Sequence, residues 1–165
     1  MFILGTFGNH PKTGAFLKAV DILTVTFCGH SEVCNSEDVK AWLYEKVEGL
    51  IELGADMFLL GGYGTFDRMA SAVVWDLKKK YPEVQSVLVK PYIDKEMDES
   101  ECDWTVYPGL ENVPKRLAIL HRNRYMIDQA DFVVAYVTHS WGGAAQTLAY
   151  AKQKKKSIIL WKQNG

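Results

Sequence analysis

Residues 56–70 read Asp-Met-Phe-Leu-Leu-Gly-Gly-Tyr-Gly-Thr-Phe-Asp-Arg-Met-Ala, and this stretch decides the fold of the chain. Its apolar run, Met57–Leu60, is typical of a strand that is buried on both faces, and it ends abruptly at Gly61-Gly62. Beyond the glycines, apolar residues recur every four positions from Met69 to Leu77, as they do on the buried face of a helix. The stretch therefore predicts a strand, a glycine-rich turn and a helix in direct succession.

Such a turn is suited to holding an anion. Glycines let the backbone approach a ligand closely, and the first N–H groups of the following helix lie unpaired at the positive end of its dipole. The Asp67 carboxylate can accept a hydrogen bond from a ribose hydroxyl or cap the helix locally. The turn matches neither common nucleotide fingerprint, and glycines that serve only a tight turn explain it equally well. The candidate ligand-binding residues here are Gly61, Gly62, Tyr63, Gly64 and Thr65.

Two further strands end in turns with candidate ligand contacts. Leu23–Cys28 reads as a buried strand and is followed by Gly29 and His30. This histidine is a candidate contact for a phosphate or a base, or it packs locally. The strongly apolar strand Asp131–Val137 is followed by a glycine pair at the start of another helix, which is a second anion-ready turn. It adds Ser140, Gly142 and Gly143 to the candidate binding residues.

Strands and helices alternate along the chain. Strands are predicted near residues 24, 57, 87, 132 and 158, and helices near residues 37, 67, 114 and 144. This order predicts an α/β fold, a three-layer, Rossmann-like, doubly wound parallel sheet of about five strands in a single domain, residues 23–162. Because ligands of such sheets bind beyond the carboxyl ends of the strands, we expect the three turns to converge on one crevice. Residues 1–22 form an N-terminal leader whose structure the sequence leaves open.

The helix predicted from about Val113 to Gln129 supplies candidate cations. Leu117 and Leu120 are expected on its inner face. Arg122 and Arg124 come late in this helix, just before a strand, and a guanidinium group can bind a phosphate through two parallel hydrogen bonds. Alternatively, both arginines are solvated or pair with an acidic segment that precedes the helix.

That acidic segment runs from about residue 91 to residue 112 and shows neither a helical nor a strand period. Irregular segments of this length in compact domains are commonly lids or binding loops. We expect this one to close above the crevice. Trp104 and Tyr107 within it either stack on a base or pin the segment to the core.

The charge and the cysteine content restrict the classes of function. The chain carries 19 Lys+Arg and 20 Asp+Glu, a net charge of −1, which disfavours broad binding of nucleic acid or anionic lipid. No stretch reaches the roughly 20 apolar residues of a membrane span, and the first residues lack the features of a secretion signal. Three scattered cysteines are typical of reduced thiols, so we expect a cytoplasmic location. Cys28, His30 and Cys34 lack a second ligand pair, and we predict neither a metal site nor a cofactor.

Taken together, these motifs resemble the SLOG superfamily, the Rossmann-like group that includes the DNA-uptake protein DprA and the "lonely guy" phosphoribohydrolases. The resemblance covers about residues 24–161 and points to the small YpsA-like branch of bacterial and phage proteins. It is carried by the order and spacing of four motifs, Phe27–His30, Gly61–Asp67, Arg122–Asp128 and Gly142–Gly143. It implies binding of a nucleotide or a nucleotide-derived ligand, commonly by a homodimer.

The phosphoribohydrolases of this group release a base from a nucleoside 5′-monophosphate, using an arginine and the final glutamate of a P-G-G-x-G-T-x-x-E motif. The glycines and the threonine of Gly61–Thr65 match that motif, but Leu60 replaces its proline and Arg68 its glutamate. A cation cannot stabilise an oxocarbenium-like sugar or activate water as a carboxylate does. We therefore expect a sensor or binding protein. The alternative is an N-glycosidase in which Asp67 is the catalytic carboxylate, while the near-neutral charge disfavours nucleic acid as a ligand.

Overall fold

The computed structural model describes residues 2–3, 21–93 and 102–163, and in these ranges it shows an α/β fold with seven parallel strands and four helices. The strands are β1 (Phe2–Ile3), β2 (Leu23–Gly29), β3 (Ala55–Leu60), β4 (Gln85–Val89), β5 (Trp104–Val106), β6 (Phe132–Tyr136) and β7 (Ser157–Leu160). The helices are α1 (Ser36–Glu52), α2 (Gly64–Lys78), α3 (Lys115–Gln129) and α4 (Gly142–Gln153). The predicted fold class is confirmed. No helix within these ranges has the length and apolar character needed to cross a membrane.

The strands form one sheet in the order β1-β5-β4-β3-β2-β6-β7, and every neighbouring pair is parallel. From β2 the chain moves outward through β3 and β4, and it later returns to the other side of β2 with β6. The direction of winding therefore reverses between β2 and β6. The loops beyond the carboxyl ends of such a pair leave to opposite faces of the sheet and leave a crevice between them.

Alternating side chains of the central strands build a core on each face of the sheet. Phe27 and Phe58 pack beneath α1 and α2 on one face, with ring centroids 6.3 Å apart. Ala135 packs against Leu148 of α4 and Ile127 of α3 on the other face. Burial of one such large apolar side chain stabilises the fold by about 1.5–3 kcal/mol. The sheet is thus the middle of three layers, as the sequence predicted.

The start of α2 lies directly over the end of β2. Phe66, in the first turn of α2, is fully buried, and its ring packs onto the backbone of Gly29. A Cβ atom at Gly29 would lie 2.1 Å from a carbon of that ring, so this position requires glycine. The contact holds the first turn of α2 at the carboxyl edge of the sheet.

The sheet that the described residues form has seven strands where the sequence predicted about five. β5 falls in the acidic segment, where no strand was predicted, and β1 falls in the leader, whose structure the sequence left open, and pairs with β5. Strands of two or three residues are too short to show a sequence period. β5 forms by pairing with the edge strand β4, and β1 then pairs with β5. Residues 4–20 of the leader and residues 94–101 of the acidic segment lie outside the described residues, and so does the predicted closure over the crevice.

The described end of the acidic segment is fixed to the sheet. Asp103 accepts a hydrogen bond from the Ser86 backbone N–H (2.7 Å) and pairs with Lys78. The indole Nε1 of Trp104 donates to the Gln85 side chain (3.2 Å). Of the two roles that the sequence left open for Trp104, the structure shows attachment to the core.

The inner face of α3 differs from the prediction. Ala118, Arg122 and Met126, which are spaced four apart, are buried, whereas Leu117 is 37% exposed and Leu120 is half-buried. The prediction that Leu117 faces the core is therefore wrong. A pattern of apolar residues cannot identify this face, because the central buried residue is an arginine.

Candidate functional site

A cavity of about 850 Å³ opens beyond the carboxyl ends of β2 and β6. Its walls come from the turn after β2, the start of α2, the middle of α3 and the loop that leads from β6 into α4. A cavity of this size accommodates a nucleotide-sized ligand. The structure brings parts of all three predicted turns to its wall. The predicted residues that line it are Gly29, His30, Tyr63, Gly64, Asp67, Arg122, Gly142 and Gly143.

Two helices begin at this cavity, and their surroundings differ. α2 begins at Gly64 and α4 at Gly142, with backbone φ angles of +83° and +88° that favour glycine. At α2, the Thr65 N–H donates to the Ser31 carbonyl (3.0 Å), so the neighbouring turn already satisfies one amide. At α4, no atom of the described residues outside the local backbone lies within 4 Å of a Cβ built on Gly142 or Gly143. The start of α4 is therefore the open one.

Arg122 is a buried charge, with 1% of its surface exposed. Its guanidinium donates to the carbonyl of Gly61, just beyond β3, and to that of Val89, at the end of β4 (2.9 Å). Its Nε donates to the Asn123 side chain (2.9 Å). Burial lowers the pKa of Arg122, and the nearby Asp67 opposes that shift. The guanidinium thus braces two strand ends against α3, and Arg122 also lines the cavity.

Several predicted contacts lie away from the cavity wall. Two residues along a helix rotate a side chain by about 200°, so Arg124 leaves α3 on the side away from Arg122. Its guanidinium lies over the Tyr150 ring of α4, 5.3 Å from the ring centroid. The structure does not place Arg124 among the candidate contacts. The other predicted residues that do not line the cavity are Gly61, Gly62, Thr65 and Ser140.

Asp67 lines the cavity as a half-buried residue. Its Oδ2 accepts a hydrogen bond from the Tyr63 backbone N–H (3.2 Å), which is the local cap expected as one of its two roles. A Cβ atom on Gly61 would lie 2.7 Å from the same oxygen, so glycine makes room for the carboxyl. Burial raises the pKa of Asp67 to about 6, although Arg122, the Tyr63 N–H and Arg68 lower it. This carboxyl can therefore exchange a proton close to neutral pH.

Three aromatic rings form a stack that lines the cavity. The ring centroids of His30 and His139 are 3.5 Å apart, and those of His139 and Trp141 are 3.8 Å apart. Burial lowers the pKa of His30, and its Nδ1 accepts a hydrogen bond from the Thr138 N–H (3.2 Å), so its imidazole is held in the neutral form. Sequence reasoning did not select His139 or Trp141 as site residues. Their one signal was their position between the end of a strand and a glycine pair.

The thiol of Cys28 has a structural role. It is buried and donates to the Ala144 carbonyl (3.2 Å), and burial raises its pKa to about 12. Among the described residues, no three His, Cys, Asp or Glu side chains are grouped so that they could hold a metal ion, so the structure does not gather Cys28, His30 and Cys34 as ligands.

Comparison with known proteins finds distant relatives, while no family model matches the chain. The chain is 26% identical over 109 residues to a UPF0398 protein of Bacillus pumilus, which covers 59% of each chain. It is 25% identical over 127 residues to the uncharacterized SPbeta prophage-derived protein YoqJ of Bacillus subtilis, which covers 64% of this chain and 74% of that protein. The chain thus spans about three fifths of the UPF0398 relative.

Solved structures share the fold at low sequence identity. DNA processing protein A from Helicobacter pylori, described for its single-stranded DNA binding mode, has a TM-score of 0.65 and 17% identity over 88% of this chain and 68% of that chain. The molybdenum cofactor carrier protein from Chlamydomonas reinhardtii has a TM-score of 0.57 and 19% identity over 84% of this chain and 76% of that chain. Together with the relatives, these structures confirm the resemblance to the SLOG superfamily and its YpsA-like branch. The expectation that nucleic acid is not a ligand finds no support here, because a protein of the same fold binds single-stranded DNA.

The two arginines of α3 should differ sharply in their contribution to stability. Arg122→Leu leaves two carbonyls at the ends of β3 and β4 without their donor, and we expect it to lower the free energy of unfolding by about 3–5 kcal/mol. The matched variant Arg124→Leu removes an exposed side chain and should change the free energy of unfolding by about 0.5 kcal/mol or less. Urea denaturation of both variants measures the difference. Equal midpoints would show that Arg122 does not brace the strand ends.

Asp67 should make stability depend on pH. Its pKa is raised from 3.8 to about 6 on folding, so the folded protein binds this proton more tightly than the unfolded chain does. The resulting stabilisation is complete below about pH 4 and is lost as the pH rises to about 6. We therefore expect the unfolding free energy of the wild type, relative to Asp67→Asn, to fall by up to about 3 kcal/mol across this window. Denaturation at several pH values measures it, with the exposed-site variant Glu83→Gln as control, and a constant difference would contradict the assignment.

Proposed function

We propose that this chain binds a nucleotide or a nucleotide-derived phosphorylated small molecule in the cavity, as a sensor or binding protein. The observation that carries the proposal is that two glycine-opened helix starts face one 850 Å³ cavity at the point where the sheet reverses its winding. Unpaired amides and the positive end of a helix dipole favour an anion, and phosphate above all. The cavity is also large enough for the remainder of a nucleotide.

The phosphate is assigned to the start of α4. At α2 the Ser31 carbonyl and the Asp67 carboxyl already occupy groups of the turn, and a second anion beside that carboxyl meets repulsion once it ionises. At α4 the space around Gly142 and Gly143 is open. Asp67 is then left to accept a hydrogen bond from a sugar hydroxyl.

A binding role is favoured over catalysis by the position of Arg68. Arg68 occupies the position of the glutamate in the phosphoribohydrolase motif. Its side chain is exposed and donates to the Thr65 hydroxyl (3.5 Å), and neither residue lines the cavity. Neighbours of the same fold include a single-stranded DNA binding protein and a cofactor carrier. Both descriptions support binding as the role of this crevice.

A single negative charge at the start of α4 should weaken phosphate binding without unfolding the protein. Gly143 has room for a side chain and an ordinary φ angle, so Gly143→Asp and Gly143→Asn can be compared directly. We expect the Asp variant to bind AMP, GMP, CMP or UMP at least about tenfold more weakly than the Asn variant, because its carboxylate repels the phosphate. The melting temperature should be unchanged or higher, since an acidic residue stabilises the first turn of a helix.

Isothermal titration calorimetry of the wild type and both variants with the four monophosphates, together with thermal shift, measures these effects. Cyclic nucleotides, ADP-ribose and a short single-stranded DNA belong in the same screen. Equal affinities of the Asp and Asn variants would contradict the assignment of the phosphate to the start of α4. A wild type that responds to none of these compounds would overturn the proposed function.

A second candidate function is an N-glycosidase acting on a nucleoside 5′-monophosphate, and Asp67 favours it. A carboxyl with a pKa of about 6 that lines the cavity can protonate a departing base while water adds to the sugar C1′. This activity predicts that free base and ribose 5-phosphate are released from AMP-like substrates. Chromatography of the reaction mixture measures both products. Release should be lost in Asp67→Asn and kept in Arg68→Ala. Intact nucleotide after prolonged incubation with the wild type would exclude it.

A further inference from the structure

Trp141 has an unusual position for a large aromatic side chain. It lines the mouth of the cavity, it immediately precedes the open start of α4, and 70% of its surface is exposed. Leaving an indole in water forgoes about 1.5–3 kcal/mol of burial, and large exposed apolar surfaces commonly mark binding sites. Ile119 of α3 also lines the cavity and is 38% exposed, whereas the exposed Trp75 on α2 does not line it.

The exposed indole is held in place on one side. The His139 ring lies against it at a centroid distance of 3.8 Å and an interplanar angle of 22°, and the buried His30 ring lies behind His139 at 3.5 Å and 25°. The stack therefore extends from the buried end of β2 to the surface. Of the two faces of the indole, one packs on His139, and the high exposure of Trp141 leaves the other open to solvent.

Hydrogen bonds fix the order of the three rings. Because the Thr138 N–H donates to Nδ1 of His30, the proton of that imidazole sits on Nε2, which faces the Trp141 carbonyl at 3.5 Å. Nδ1 of His139 also lies 3.1 Å from that carbonyl and donates to it. A neutral His30 adds no charge beneath the stack. An aromatic surface that is already ordered loses little conformational entropy when a ligand covers it.

We propose that the open face of Trp141 is a stacking platform for the base of the nucleotide. The inference rests on the proposed function and deepens it, since it assigns the base as well as the phosphate. A planar base on Trp141 continues the His30–His139–Trp141 stack by one more ring. Its phosphate remains close to Gly142 and Gly143, the two residues that follow Trp141. Stacking of this kind tolerates every base, because each has a π face.

The experiment compares a ligand that has a base with one that lacks it. AMP and ribose 5-phosphate are titrated into the wild type, Trp141→Ala and Trp141→Phe. We expect AMP to bind the wild type about 5- to 150-fold more tightly than it binds Trp141→Ala, the range that base–aromatic stacking supplies. Ribose 5-phosphate should bind wild type and Trp141→Ala alike. Trp141→Phe should recover most of the loss, and Trp75→Ala is the control for removal of an exposed tryptophan away from the cavity.

Tryptophan fluorescence gives an independent readout. AMP should quench the emission of the wild type and of Trp75→Ala but not that of Trp141→Phe, and ribose 5-phosphate should quench none of them. Melting temperatures verify that the variants are folded. If Trp141→Ala binds AMP as tightly as the wild type does, the platform is wrong while the proposed function stands.

If neither ribose 5-phosphate nor any compound of the nucleotide screen binds the wild type, the proposed function fails and the platform fails with it. Titration with a 5′-phosphorylated oligonucleotide tests whether the stacked base comes from a free nucleotide or from a single strand of nucleic acid. Tighter binding than AMP, with the same loss in Trp141→Ala, would identify a single strand as the source of the base that stacks. Binding of the oligonucleotide that Trp141→Ala leaves unchanged would contradict the platform for that ligand.

Discussion

The crevice depends on one buried cation. The Arg122 guanidinium sits where β3 and β4 end, and it donates to a backbone carbonyl at each of these strand ends. A backbone carbonyl without a partner in this place would cost about 1–3 kcal/mol. By supplying the donor from α3, the chain ties the helix to two strand ends and fixes one wall of the cavity. The same charge lies close enough to Asp67 to influence its ionisation.

This arrangement divides the cavity into a closed side and an open side. On the closed side, Arg122 donates to the Gly61 and Val89 carbonyls and Asp67 accepts from the Tyr63 N–H, so part of their hydrogen-bonding capacity is used within the protein. On the open side, no described atom outside the local backbone crowds Gly142 or Gly143, and Trp141 is 70% exposed. Ligand chemistry is expected where hydrogen-bonding and stacking capacity remains unused. Under the proposed function, the open side uses this capacity for an anion at the start of α4 and for a planar ring on Trp141.

The sequence predicted what local patterns determine, and it missed what packing determines. Apolar runs that end in glycine located β2 and β3, and a strongly apolar run shortly before a glycine pair located β6. Their parallel order placed the turns at one edge. The inner face of α3 was not predicted because its central residue is Arg122. This arginine can be buried since it donates to carbonyl groups that are distant in sequence. β5 was not predicted because three residues are too few to show a strand period, and this strand forms by pairing with β4. The histidine stack combines residues more than one hundred positions apart, which no local pattern reveals.

The fold places the crevice but does not choose its ligand. DNA processing protein A and the molybdenum cofactor carrier protein share this architecture at 17% and 19% identity, and their descriptions name different ligands. What distinguishes one such protein from another must therefore lie in the loops at the carboxyl edge. In this chain the loop from β6 into α4 brings His139, Trp141 and two glycines to the cavity within five residues. In the proposed function, a stacking surface for the base lies directly beside a binding site for the phosphate. A nucleotide requires this combination, and neither feature alone would specify one.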